Sequence, residues 1–269
     1  MGAVRSATHL VPYSLLILLT LALPPVHATT GPSIPIIGRH SSLTIPIYIP
    51  TSPTWAHDVV LNATIAWNRA QLSYQQATPE ATVYSFVESD YGTASAVVSF
   101  SMPSAYTSIA VGWTNYNFAP GSRTSIVSTQ TYLTPFVFNP AQVGNETARR
   151  YAFWLALHEL GRILGLGSVL DGKDIMEPRY TAARIDSVPN FSTLDLYALQ
   201  VLAQGSAPNF VTLPVGVQDQ LAPVTGFLPN PHQEAFAPIS GVEKTLPQVT
   251  QTPLTRLLRR FHFLAQFFL

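Results

Sequence analysis

From Leu43 the chain reads Leu-Thr-Ile-Pro-Ile-Tyr-Ile, apolar and β-branched on alternate positions, which predicts a strand. Pro46 has no amide hydrogen to give a ladder and predicts an edge position for that strand. Between Trp55 and Leu72, Val59, Val60, Ala63, Ile65, Ala66 and Leu72 recur at helical spacing with Trp67 among them, predicting an amphipathic helix laid on a sheet. Three β-rich runs follow, Ala81–Val87, Ala94–Phe100 and Ser108–Trp113. A fourth, Thr124–Leu133, comes after the turn signal Pro120-Gly121. Asn139-Pro140 and Gly144 precede a second helix, Glu146–Leu164, which Gly165 and Gly167 terminate. After a loop over Ser168–Asn190, Ser192 is placed to cap a last helix, Leu194–Leu202, ending near Gly205. Interleaved strands and helices over residues 43–206 give an α/β (α+β) domain.

The flanks have other patterns. Arg5, the apolar run Leu15–Leu23 and the small residues ending at Ala28 predict a secretory signal peptide over 1–28. Residues 29–42, rich in Thr, Ser, Pro and Gly, are expected to be a linker, and the proline-rich stretch 207–253 an extended tether. Over 254–269, Leu254, Leu257, Leu258, Phe261 and Leu264 face one way and Arg256, Arg259 and Arg260 another. That amphipathic helix suits contact with a membrane surface, or docking on a protein. The sequons at Asn62, Asn145 and Asn190 are glycosylation candidates that fit a secreted or extracellular cell-surface chain.

Composition narrows the chemistry. Charged residues make up 10% of the 269, against about 25% in ordinary soluble domains, and 14 basic residues balance 14 acidic ones. No basic stripe offers a footprint for nucleic acid. With no cysteine there is no disulfide, thiol nucleophile or thiolate metal site, so a metal could be held only by carboxylates and the 7 histidines.

The chemically informative segment is His158-Glu159-Leu160-Gly161-Arg162-Ile163-Leu164-Gly165-Leu166-Gly167-Ser168, followed by Asp174-Ile175-Met176-Glu177-Pro178. It resembles the zinc-binding helix and Met-turn of the metzincin metallopeptidases, in their matrixin-like branch, whose pattern is H-E-x-x-H-x-x-G-x-x-H before a Met-turn. In that pattern two His at i and i+4 share a helical face, the Glu is general base toward a zinc-bound water, and the Gly turns the chain so that a third His closes the site. The resemblance implies a zincin-like catalytic domain: a twisted, mixed five-stranded sheet with two long helices, the Met-turn and a small C-terminal helical subdomain. It places His158 at the first ligand, Glu159 at the general base, Gly165 at the turn and Met176 as the apolar floor. Some branches use a Tyr two residues after the Met; Pro178 stands there, so Tyr180 inherits no role.

Arg162 and Ser168 occupy the other two ligand positions. A guanidinium has no lone pair for a metal, and a serine hydroxyl lies outside the usual zinc donor set. Asp171 and Asp174 are possible substitutes, since some relatives use Asp as third ligand. Zinc, the cofactor the family implies, is therefore expected to bind weakly or not at all. Glu159 and Arg162, at i and i+3, are expected to pair. The favoured reading is a catalytically impaired, exported metallopeptidase homologue whose cleft binds a peptide or protein without cutting it. Its alternatives are an active zinc metalloendopeptidase with a non-standard ligand set, and a cell-surface structural or adhesion module.

Overall fold

The computed structural model describes residues 31–105, 111–134, 145–169, 174–179 and 187–224. The expected signal peptide over 1–28, the expected amphipathic helix over 254–269, Asp171 and Tyr180 lie outside the described residues. In chain order the elements are β1 (Ser33–Pro35), β2 (Arg39–His40), β3 (Thr44–Tyr48), α1 (Thr54–Ala77), β4 (Ser85–Glu88), β5 (Ala96–Ser99), β6 (Gly112–Phe118), β7 (Ser125–Leu133), α2 (Asn145–Ile163), β8 (Asn190–Ser192), α3 (Thr193–Ala203), β9 (Phe210–Thr212) and β10 (Leu221–Pro223).

The α/β (α+β) class holds, with a mixed, mostly parallel sheet of six strands where five were expected. Strands β2, β7, β5, β3 and β4 run parallel in that order, and β6 joins β7 antiparallel. The additional strand is β2, cut from the segment expected to be linker, where Arg39 N–H donates to the Thr124 carbonyl at 2.7 Å. Two-residue strands leave too little alternation to be seen in a Thr/Ser/Pro/Gly background.

The inner face of the sheet is apolar. Ile45, Ile47, Phe86, Ala96, Val98 and Leu133 are buried there, together with Val59, Val60, Ala63 and Trp67 of α1. Helix α2 is buried through the unbroken run Ala152–Leu160, and the Trp67 indole ties the helices together by donating to the Leu157 carbonyl at 2.9 Å. Pro46 is not at an edge: β3 lies between β4 and β5. Its carbonyl accepts from Ser95 N–H at 2.9 Å on the β5 side, so its nitrogen points the same way. Pairing with β5 starts only at Ile47, so the missing donor falls beyond the end of that ladder.

Ser192 caps α3 as expected, in a reciprocal capping box with Asp195. Beyond it, the part of the expected tether that is described, 207–224, is folded: β9 pairs with β1 and β10 with β8, and Val211 and Val224 are buried. Among the described residues no helix is long and apolar enough to cross a membrane.

Candidate functional site

Helix α2 carries His158, Glu159 and Arg162 on its last two turns. Gly165, at φ +100°, reverses the chain after it, a conformation that favours glycine. A Cβ there would fall on the Gly38 carbonyl oxygen. The reversed segment then docks against the N-terminal residues, with Ile37 N–H donating to the Gly165 carbonyl at 2.8 Å and Gly167 N–H to the Pro35 carbonyl at 2.7 Å. This return brings Ser168 back to α2, where its Oγ accepts from Arg162 Nη1 at 3.2 Å. The two positions that depart from the motif are therefore in direct contact.

Glu159 is buried, and its Oε2 accepts from the Thr114 hydroxyl at 2.7 Å; Thr114 in turn meets Thr131 at 2.9 Å. Arg162 Nε stands 3.9 Å from the same carboxylate oxygen, forming the expected pair at long range. Burial pushes the Glu159 carboxyl above its ordinary value, with Arg162 and Thr114 pulling the other way. The Tyr116 hydroxyl donates to the Arg162 carbonyl at 3.1 Å, and burial pushes this phenol up to about 12.

His158 is buried, and Nδ1 lies 2.8 Å from the Ile175 carbonyl. A carbonyl only accepts, so Nδ1 carries a proton and donates it in this bond. The partner carbonyl belongs to the turn at Asp174–Met176, which is held by Met176 N–H donating to Asp174 Oδ1 at 2.9 Å and by Val169 N–H donating to the Met176 carbonyl at 3.0 Å. Met176 is fully buried below the helix, and its sulfur occupies the space a Cβ on Gly161 would take. Pro178 follows the turn, and Glu177 is buried beside Arg179.

Asp174 is thus engaged in shaping the turn. It is buried near Asp195, whose carboxyl is pushed well up by burial and by the charge of Asp174. Arg162 and Ser168, at the two positions where the resemblance would put further ligands, bond each other, and neither a guanidinium nor a serine hydroxyl belongs to the usual zinc donor set. Among the described residues no group of three or more His, Asp or Glu side chains is placed to hold a metal ion.

Thr114 and Tyr116 are not legible in the sequence because the expected strand stops at Trp113, where Asn115 and Asn117 interrupt the apolar pattern; Thr131 falls inside the expected strand Thr124–Leu133, but nothing local announces its contact with Thr114. His40 falls outside the expected domain, yet this ring is buried, with Nε2 2.8 Å from the Ile163 carbonyl at the end of α2. His57 lies apart on α1, bonded to Glu88 at 2.9 Å. Asn62 and Asn190 are half-buried, and the side chain of Asn145 is outside the described set.

No family model matches the chain, and no curated protein matches it. A solved structure described as the GM1 bound form of the ECX AB5 holotoxin is similar to it at a TM-score of 0.37 and 14% identity, over 64% of this chain and 88% of that one.

Proposed function

We propose that this chain is an exported homologue of the matrixin-like metzincins in which the catalytic zinc site has been replaced by an internal cation, leaving a cleft that binds an extended peptide without hydrolysing it. The observation that carries the reading is the contact between Arg162 Nη1 and Ser168 Oγ. Residues six apart, on either side of a positive-φ glycine, meet where the motif would bring two ligands together. The guanidinium supplies there the positive charge that keeps Glu159 from being stranded.

Other features support the ancestry. The mixed sheet packs on α1 and α2, Met176 lies under the Glu159-bearing helix, and α3 follows as a small C-terminal unit. The His158 ring is oriented through Nδ1 by a backbone carbonyl, the arrangement metal-ligating histidines use. Strand β6 pairs only with β7 among the described strands, so its other edge has backbone donors and acceptors for an extended chain.

Metal analysis of the purified chain tests the reading. The expected result is no stoichiometric zinc and no peptide-bond hydrolysis in the parent, and stoichiometric zinc in the double variant Arg162→His with Ser168→His. Zinc at one equivalent in the parent, lost on His158→Ala, would overturn it in favour of an active peptidase. A double variant that folds and still takes no zinc would remove the motif geometry on which the ancestry rests.

A further inference from the structure

The sheet face turned away from the helices has a composition of its own. Strand register aligns Tyr48, Val97, Gln130 and Asn115 in one row across β3, β5, β7 and β6, and Ser99, Tyr132 and Trp113 in the next. Ser128 and Asn117 form the row before, joined by a 2.9 Å bond from the Asn117 amide to the Ser128 hydroxyl. The alternate positions of these strands are the buried ones that meet the helices. Across β3 to β7, no outward strand position is Asp, Glu, Lys, Arg or His. Soluble surfaces ordinarily carry about 25–35% charged residues, so a face this wide without charge is a chemical feature in itself.

What covers it must match three properties. The absence of charge gives nothing to an anionic polymer, and an ordinary protein surface would bury its own charges there without a counter-ion. Asn115, Asn117 and Gln130 are exposed amides, able to donate and accept as sugar hydroxyls do, with Asn115 Oδ1 already accepting from Trp113 Nε1 at 2.6 Å and Asn117 Nδ2 already donating to Ser128. Trp113 and Tyr132 sit as a cross-strand pair, and Tyr48, edge-on to Tyr91 with ring centroids 5.3 Å apart, extends the aromatic surface. By strand spacing Tyr132 and Tyr48 are roughly 12 Å apart, a span suited to a short run of linked sugar rings.

We propose that this outward face is a binding surface for an uncharged polysaccharide, with Trp113, Tyr132 and Tyr48 stacking on sugar rings and Asn115, Asn117 and Gln130 bonding their hydroxyls. It lies across the sheet from Glu159 and does not depend on the reading of that cleft. The test is affinity electrophoresis of the full chain in gels containing β-1,3-glucan, galactomannan or xylan, with alginate and heparin as anionic controls.

Retention by at least one neutral polymer is expected, weakened about ten-fold by Trp113→Ala at unchanged melting temperature. Gln130→Ala, at an exposed position, is expected to weaken it less and serves if the tryptophan variant does not fold. No retention by the three neutral polymers, retention only by alginate or heparin, or retention unchanged in both variants would overturn the proposal. So would concentration-dependent dimerisation that Gln130→Arg abolishes, which would make the face a contact between copies of the chain.

Discussion

Two glycines flanking Arg162 do different work. Gly161 is helical and is needed for space, because Met176 packs its sulfur onto the bare backbone of α2, with the Trp67 ring 3.0 Å from where a Cβ would stand. Gly165 is needed for conformation as well, since its φ of +100° puts an added Cβ into the Gly38 carbonyl. A buried methionine can yield by changing rotamer, whereas a backbone carbonyl in a hydrogen-bonded turn cannot. Gly161→Ala is therefore expected to cost about 1–3 kcal/mol, the usual range for overpacking a core. Gly165→Ala should cost more, since left-handed strain of about 1–3 kcal/mol adds to the clash. Urea unfolding of both variants checks the order, and an equal or reversed ranking would refute this division of roles.

The residues around Glu159 show how a buried carboxylate is accommodated. A carboxylate as buried as Glu159 needs a positive charge or donors nearby. Thr114 supplies one donor and Arg162 the charge, while Ser168 gives the guanidinium an acceptor on its far side. Glu159 and Arg162 share one helix, and their pairing is legible from spacing alone. The Thr114 bond crosses from β6 to α2, 45 residues apart in sequence, and no local pattern announces it.

Among the elements, α2 is the best determined by sequence and the best clamped at its end. Its boundaries, Asn145–Ile163, match the expected helix within a residue, because the turn signals before it and the glycines after it are local. His40 then fastens the last turn to β2. Burial lowers the His40 pKa from its ordinary 6.5, and the bond to Ile163 opposes this only in part. A histidine whose folded value is lowered gives stability that is complete above the unfolded value and is lost as pH falls below it. The chain is therefore expected to lose melting temperature as pH drops from about 6.5 toward the lower folded value, and His40→Gln should lose less over that window. His40→Ala, which leaves the Ile163 carbonyl without this donor, is expected to cost about 1–3 kcal/mol at neutral pH. Parallel pH-dependent melts that matched in the parent and the Gln variant would show that His40 is not the titrating group.

The strands were less legible than the helices for an identifiable reason. The expected bounds of β7 agree with Ser125–Leu133 within one position, and its burial alternates from Thr129 to Leu133, whereas the expected β6 is too short because Asn115 and Asn117, at outward positions, are residues that also mark turns. Those asparagines are solvent-facing members of the β6–β7 ladder, whose register shifts only after Asn117. A period-2 pattern shows which residues share a face, but polar residues on both faces hide it, and Thr114 on the inner side of β6 is polar too.

At the scale of the whole molecule, the ends of the domain are where local pattern and tertiary structure part. Residues 43–206 contain every long element, so they read as the complete domain, and the short pieces on either side read as linker and tether. Yet β1 and β9, from opposite ends, pair with each other, and Ile34 and Val211 of that pair are buried. Further on, Asp219 accepts from Leu194 N–H at 3.0 Å, the Gln220 carbonyl accepts from Thr193 N–H at 2.9 Å, and β10 covers β8 before Val224 turns inward. The start of α3 is thus held from outside by residues that no helix or long strand contains. A chain ending after residue 206 should therefore be less stable than one ending after 224 by several kcal/mol, given about 1.5–3 kcal/mol for each buried valine and the partners lost at Thr193 and Leu194. Urea midpoints of the two truncations measure the difference directly. Equal midpoints would mean that 207–224 lies on the domain without supporting it, and the border drawn from the sequence at 206 would stand.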